Sequence, residues 1–134
     1  MVNYQEIISK ATDARKNAYC PYSGFSVGAC LVCSDGKMYT GCNVENASYG
    51  ETVCAERVAF LKAVSDGKRG FCAIAIVGGK GEITDFTYPC GSCRQVLSEL
   101  ADSGLEIVLF NGSEHKICTL GQLFPNSFGS KDIK

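Results

Sequence analysis

Thr52-Val-Cys-Ala-Glu-Arg57 and Pro89-Cys-Gly-Ser-Cys-Arg-Gln-Val96 carry most of the chemical information in this chain. Together they supply one carboxyl group, that of Glu56, and three thiols, those of Cys54, Cys90 and Cys93. Three thiolates suit a tetrahedral zinc ion, and a zinc site with only three protein ligands keeps its fourth position open, as catalytic sites do. Because Glu56 is not needed as a ligand, it remains free to move protons there. The two stretches therefore predict a catalytic zinc site.

Two other interpretations of the cysteines stay open from the residues alone. Cys90 and Cys93 form a C-x-x-C pair, which by itself is typical of a thiol redox protein with no stoichiometric metal. A structural zinc or RNA-binding module is the second alternative, and it requires a fourth protein ligand and a basic or aromatic face. His115, the only histidine, lies in a predicted turn, and we expect it at the surface rather than on the metal.

Cys54 and Cys90 both fall where a helix is predicted to begin. The free N–H groups and the positive dipole end of a helix stabilise thiolates. Cys54 and Glu56 converge only if Cys54 occupies the cap or first turn of its helix. Arg57 is predicted to donate hydrogen bonds to the thiolates and offset their negative charge; the alternative is an exposed helical arginine.

Length, charge and cysteine content limit the classes of protein to which the chain can belong. The chain has 134 residues, which predicts one domain spanning 1–134. Its net charge of −1 argues against nucleic-acid partners. We expect no membrane span, because no apolar run reaches ~18 residues, and no signal peptide. Nine cysteines, an odd number, fit metal ligands plus free thiols in a reducing cytoplasm better than a disulfide scaffold.

Periodicity predicts alternating helices and strands. The first half shows a helix capped by Asn3, then strands over 25–33 and 38–44 joined by a turn at 34–37. The second half shows a helix over 53–66, a strand over 73–77, a helix over 90–101, a strand over 106–110 and a short helical turn opening at Thr119. In the helix over 53–66, Val58, Leu61 and Val64 are among the residues expected to be buried. A strand followed by a helix and a second strand implies that the two strands are parallel and joined by a right-handed crossover. The chain is thus predicted to form an α/β domain with a mixed sheet.

Beyond the two cysteine stretches, three more segments complete a resemblance that covers nearly the whole chain. They are Tyr19-Cys-Pro-Tyr-Ser-Gly-Phe-Ser-Val-Gly-Ala29, Gly41-Cys-Asn-Val-Glu-Asn-Ala-Ser-Tyr-Gly50 and Leu123-Phe-Pro-Asn-Ser-Phe128. With them the chain resembles the small, homotetrameric, zinc-dependent cytidine deaminases of pyrimidine nucleoside salvage. The family's fold is a three-layer α/β/α sandwich around a mixed, roughly five-stranded sheet, and the resemblance implies that fold here.

The resemblance also implies roles for individual residues. Asn43 and Glu45 would bind the ribose 3′-hydroxyl, and Phe25 would line the pyrimidine pocket, with Ala55 also in contact with substrate. The residues implied to reach a neighbouring subunit's site are Ala47, Tyr49 and Phe128, the last by closing over the base. One zinc ion per subunit and a homotetramer with shared active sites follow from the same resemblance.

The implied reaction is hydrolysis of cytidine and 2′-deoxycytidine to uridine and 2′-deoxyuridine with release of ammonia. A zinc hydroxide would attack C4 while Glu56 shuttles protons. The charge of Glu45 independently favours a free nucleoside, because a phosphate placed beside it would face another negative charge. Blasticidin S deaminases are similar around both cysteine stretches and remain an alternative on the same fold.

Overall fold

The computed structural model describes residues 2–133 and contains the predicted elements plus one further strand. The helices are α1 (Tyr4–Ala14), α2 (Ala55–Ser65), α3 (Gly91–Leu100) and α4 (Leu120–Leu123). The strands are β1 (Ser26–Cys33), β2 (Met38–Cys42), β3 (Phe71–Gly79), β4 (Glu106–Phe110) and β5 (His115–Thr119). Short 3-10 turns lie at Arg15–Asn17, Tyr49–Glu51 and Ser130–Asp132. Within residues 2–133, every helix is too short or too polar to cross a membrane.

The five strands form one mixed sheet in the order β2-β1-β3-β4-β5. β3 and β4 are parallel, and α3 provides the crossover between them, as the strand–helix–strand pattern predicted. The other neighbouring pairs are antiparallel. Helices cover both faces: α1 packs on one, while α2, α3 and α4 pack on the other. The prediction of an α/β fold with a mixed five-stranded sheet is confirmed.

Two glycines allow helices to lie directly on the sheet. A Cβ on Gly28 of β1 would lie 1.8 Å from the carbonyl oxygen of Ala11 in α1. A Cβ on Gly41 of β2 would lie 2.4 Å from the carbonyl oxygen of Ala55, the first residue of α2. Since no side chain fits at either position, the start of α2 is held against β2 at backbone distance. This contact fixes where α2 presents its first turn.

The buried face of α2 differs from the prediction. Val58 and Val64 are only half-buried, and Leu61 is 51% exposed. The residues that face the sheet are Ala55, Glu56, Ala59, Phe60 and Ala63. Small alanines let the helix approach Gly41 closely, and helical geometry then turns the larger aliphatic side chains away from the sheet. Leu61 therefore lies on the outer surface of this chain.

The strand that the sequence did not predict is β5, and the turn assigned to His115 is wrong. The turn lies earlier, where Asn111 Oδ1 accepts hydrogen bonds from the backbone of Ser113 (3.0 Å) and Glu114 (2.9 Å). Gly112 supplies the positive φ of 100° in that turn. His115 begins the edge strand and is exposed, stacked on Tyr4. Its polar neighbours conceal the strand pattern, as is common at sheet edges.

Candidate metal centre and active site

The three thiols come from two helix beginnings that face each other. Cys54 is the N-cap residue of α2, and Cys90 is the N-cap residue of α3. The predicted helix beginnings at these two residues are thus confirmed. Neither thiol caps its own helix by a hydrogen bond, so both remain available to a ligand. Cys93 lies in the first turn of α3 and is fully buried.

The spacing of the sulfur atoms fits a zinc ion. The Sγ atoms of Cys54, Cys90 and Cys93 all lie within 4.8 Å of one another. The Cys54 and Cys90 Sγ atoms are 3.8 Å apart. Two thiolates bound to one tetrahedral zinc at about 2.3 Å would be separated by about 3.8 Å. Among residues 2–133 this is the only cluster of three or more potential metal ligands. Three ligands leave one position open, as in catalytic zinc sites.

Arg57 places a positive charge beside this cluster. Its Nη2 atom lies 3.8 Å from Cys54 Sγ and donates to the Thr52 carbonyl at 3.1 Å. Its Nε atom is buried with no hydrogen-bond partner in the described chain. Hydrogen bonds from Cys93 and then from Arg57 lower the pKa of the Cys54 thiol well below its usual value. A thiol in this state is ready to act as a metal ligand, because ligation requires the thiolate.

Glu56 lies next to the cluster in the first turn of α2. Its side chain is 4% exposed, and it is one of only two buried polar or charged residues in the described part of the chain. Burial raises the pKa of its carboxyl group to about 7. A carboxyl group with such a pKa accepts and releases protons readily near neutral pH. Within residues 2–133, Glu56 forms no salt bridge that would explain why its carboxyl group is buried beside the three thiols.

Asn43 and Glu45 lie on a segment that pairs with Tyr19. The backbone N–H of Tyr19 donates to Asn43 O at 2.9 Å, and the N–H of Glu45 donates to Tyr19 O at 2.8 Å. The buried Asn43 amide donates to Phe25 O (2.9 Å) and accepts from Val27 N (2.8 Å). Asn43 therefore also fixes the start of β1, and with it the position of Phe25.

The carboxylate of Glu45 organises the turn before β1. It accepts from the Ser23 hydroxyl and from the backbone N–H groups of Tyr22 (3.0 Å) and Ser23 (3.2 Å). These bonds, the Ser23 hydroxyl first, lower the pKa of Glu45. A cleft of about 400 Å³ opens at this carboxylate, and its lining residues are Tyr22, Ser23, Glu45, Asn46, Tyr49 and Thr52. Thr52 also accepts from Arg57, so the cleft adjoins the thiol cluster.

The remaining predicted substrate residues divide into buried and exposed ones. Ala55 is fully buried at the start of α2. Ala47 is exposed, Tyr49 is 76% exposed and Phe128 is 58% exposed. Of these three residues, Tyr49 lines the cleft at Glu45 in its own chain.

Two residues that hold the site together, Ser23 and Arg94, were not predicted from the sequence. Ser23 supports both Glu45 and the N–H of Phe25 (3.0 Å), and a serine before glycine in a turn was the available signal. Arg94 donates to the carbonyl of Pro89, just before Cys90, at 2.8 Å. Nothing in the local pattern distinguishes Arg94 from an ordinary helix arginine.

A Cys₃ cluster at two helix beginnings, with a buried glutamate that is not a ligand, is the arrangement of zinc-dependent deaminases. Residues 1–108 match the family model described as the cytidine and deoxycytidylate deaminase zinc-binding region. The chain belongs to this zinc-binding deaminase family, and the prediction of a deaminase enzyme is confirmed.

Two relatives and one solved structure, all named cytidine deaminase, match this chain over nearly its full length. The chain is 42% identical to the cytidine deaminase of Sporosarcina psychrophila, with 98% of this chain and 96% of the relative covered. It is 44% identical to the cytidine deaminase of Halalkalibacterium halodurans, with 96% of each covered. The crystal structure of cytidine deaminase from Burkholderia pseudomallei superposes with a TM-score of 0.88 at 46% identity, covering 95% of this chain and 100% of that one.

Proposed function

We propose that this enzyme hydrolyses cytidine and 2′-deoxycytidine to uridine and 2′-deoxyuridine, with release of ammonia. The observation that carries the proposal is the group of three Sγ atoms within 4.8 Å of one another, beside the 4%-exposed Glu56. The names of the relatives support the choice of cytidine as the nucleoside to be deaminated. We place the activity in pyrimidine salvage, in a reducing cytoplasm that suits nine free thiols.

Cys54, Cys90 and Cys93 would hold one zinc ion per chain. Zinc in a three-ligand site with an open position activates water as a nucleophile near neutral pH. Arg57 would stabilise the thiolates through its contact with Cys54 Sγ, since three thiolates leave the site with net negative charge.

Glu56 is the proposed catalytic residue. Its carboxylate would take a proton from the attacking water and deliver it to N3 of the pyrimidine, which makes C4 electrophilic. It would then take the proton of the hydroxyl group added at C4 and carry it to the exocyclic amine, so that C4 becomes a carbonyl and ammonia leaves. A pKa raised to about 7 by burial suits both the acceptance and the release of a proton.

Glu45 and Asn43 would bind the ribose, with Phe25 and Ala55 lining the pyrimidine pocket. Glu45 keeps an ionised carboxylate at the cleft, because hydrogen bonds from Ser23 and Tyr22 lower its pKa. None of the six residues that line the cleft is basic. A phosphate would therefore meet a carboxylate without a counterion, which is costly. We accordingly propose nucleosides, not nucleotides, as the substrates.

The working form is proposed to be a homotetramer of single-domain chains. Ala47, Tyr49 and Phe128 would complete a neighbouring copy's site, with Phe128 closing over the base. The exposure of two aromatic side chains near the cleft and on the C-terminal segment supports this, because an uncovered aromatic ring loses the stabilisation of burial.

The experiment follows the ultraviolet absorbance of cytidine during incubation with the purified protein, with ammonia measured in parallel. We expect uridine and ammonia in equal amounts, and loss of turnover after chelation with recovery on adding zinc. Parallel reactions with cytidine 5′-monophosphate test the preference for nucleosides, which predicts turnover at least about a hundred-fold slower.

Each alternative has its own outcome. Turnover of blasticidin S but not of cytidine would assign the chain to that substrate. Bound zinc with no deamination would favour a structural metal. Purified protein with no zinc and a reversible Cys90–Cys93 disulfide would support a redox pair.

A further inference from the structure

Arg94 joins two segments that are far apart in the sequence. Its Nε atom donates to the carbonyl of Pro89 at 2.8 Å, immediately before the metal ligand Cys90. Its Nη1 atom donates to the carbonyl of Leu123, the last residue of α4, at 2.5 Å. A guanidinium group is planar and rigid, so the two carbonyls are held at a fixed distance from each other. Both contacts are partly buried, where hydrogen bonds resist competition from water.

The chain after Leu123 runs back along α3. We call residues 124–128 the C-terminal arm. Asn126 has a φ of 54°, the left-handed conformation that asparagine tolerates, and it turns the arm. At the end of the arm, Gln95 Nε2 donates to the carbonyl of Phe128 at 3.1 Å. Adjacent residues of α3 therefore bind the residue just before the arm and the last residue of the arm, while the Phe128 ring remains 58% exposed.

Capping of α4 does not by itself explain the Arg94 contact. Thr119 and Gln122 cap the beginning of this helix of four residues, whereas Arg94 binds the carbonyl of Leu123 at its other end. A carbonyl at a helix end does not need a side chain from another element, since the chain's own last turn or water commonly satisfies it. What Arg94 adds is a connection between the arm and the loop that presents Cys90.

We propose that Arg94 is a positioning residue for deamination: it fixes the C-terminal arm to α3 of its own chain, and thereby sets where Phe128 meets the base in a neighbouring copy's site. The inference rests on the proposed role of Phe128 over the base. Arg94 touches no reacting atom, and Cys93 beside it points into the metal cluster from the same turn of α3. Loss of Arg94 should therefore affect substrate binding more than the chemical step.

The test compares Arg94→Met, Arg94→Lys and the control Arg69→Met. Arg69 also donates to two carbonyls, those of Val64 (3.0 Å) and Lys68 (2.8 Å), but lies outside the site. For Arg94→Met we expect full zinc content, faster hydrogen exchange of amides in the arm, and KM for cytidine raised about ten-fold, with kcat changed less than about three-fold. Arg94→Lys should raise KM less than Arg94→Met does, because lysine reaches one of the two carbonyls but not both. Arg69→Met should leave both KM and kcat for cytidine unchanged.

A double-mutant cycle with Phe128→Ala separates positioning from general stability. If Arg94 acts through Phe128, Arg94→Met raises KM by less than about two-fold when Phe128 is already alanine. Independent, multiplicative effects on KM would overturn the proposal, as would loss of zinc or unchanged arm exchange in Arg94→Met. If Arg94→Met does not fold, Arg94→Lys is used in the same cycle and decides. Absence of cytidine turnover by the unmodified enzyme would instead refute the proposed function, while arm exchange would still report whether Arg94 holds the arm.

Discussion

The proposed active site consists of two parts that differ in how they are built. The metal half, comprising Cys54, Glu56, Cys90 and Cys93, is assembled from the beginnings of α2 and α3. The open half, comprising Ala47, Tyr49 and Phe128, lies on irregular segments and is exposed. The metal half needs nothing outside this chain to bring its groups together. The open half has side chains suited to cover a ligand, and one of them, Tyr49, lines the cleft at Glu45.

The two halves are therefore suited to different tasks, the metal half to chemistry and the open half to binding. Helix beginnings on a packed sheet hold thiols and a carboxyl group to the accuracy that proton transfer requires. Loops and a terminal arm adapt more easily to a substrate or to a second copy. We therefore expect changes in the metal half to abolish chemistry, and changes in the open half to weaken binding or assembly.

Replacing a metal ligand should give the largest effect. We expect Cys54→Ala to lose zinc and to reduce cytidine turnover below detection, because two thiolates hold zinc far less well than three. Zinc content by elemental analysis and turnover by absorbance check this. Cys72→Ala is the control, since Cys72 is exposed and outside the cluster. Full zinc occupancy in the Cys54→Ala protein would remove Cys54 from the ligand set.

Replacing the buried carboxyl group should separate chemistry from metal binding. Glu56→Gln keeps the shape of the side chain but cannot carry a proton, so we expect kcat to fall by about 10²–10⁴-fold with zinc retained. Glu114→Gln, on an exposed turn, should leave kcat unchanged. Near-normal kcat in Glu56→Gln would refute the proton-transfer role.

The metal half and most of the sheet were predictable from the sequence for physical reasons. C-x-x-C at a helix beginning and a third cysteine two residues before a glutamate restrict the chemistry strongly. Apolar strands such as Glu106–Phe110 and the turn before Met38 follow local rules of burial and chain reversal.

The failures of prediction lie where tertiary contacts override local pattern. The orientation of α2 depends on Gly41 meeting Ala55, and no periodicity in α2 itself reveals that contact. β5 depends on the turn that Asn111 builds and on pairing with β4. The hydrogen bonds of Arg94 to Pro89 and Leu123 join residues that are distant in sequence. The roles of Ala47, Tyr49 and Phe128 remain predictions, because they concern a second copy of the chain.

Mixing two defective proteins tests whether the open half is completed by a neighbour. Phe128→Ala should raise KM about ten-fold through loss of ring contact with the base. Co-expressed with Glu56→Gln, it should form mixed assemblies in which an intact Glu56 meets an intact Phe128 from another copy. We expect turnover at low cytidine to exceed that of Phe128→Ala alone several-fold. Sedimentation measures the assembly size, for which the proposal predicts four chains.

The control for the co-expression experiment mixes separately purified Phe128→Ala and Glu56→Gln proteins and assays them immediately, before they can exchange chains. Activity in co-expressed material equal to the sum of the two separate proteins would show that Phe128 serves its own chain. A monomer with full activity would reject the shared site altogether.

The smallest effect is expected from a substitution at Gly41, which lies under the beginning of α2. A Cβ there would lie 2.4 Å from the Ala55 carbonyl oxygen and 2.7 Å from the Ala59 nitrogen, so α2 must move away from β2. We expect Gly41→Ala to lower the free energy of unfolding by about 1–3 kcal/mol, as overpacking of a close contact does. Gly129→Ala is the control for the melting temperature, since its Cβ would meet only Lys131 Nζ at 3.9 Å. Because α2 carries Cys54 and Glu56 at its beginning, kcat should fall together with Tm. A lowered Tm with unchanged kcat would mean that the metal half adjusts to movement of α2, and that its accuracy comes from the ligands rather than from the sheet beneath them.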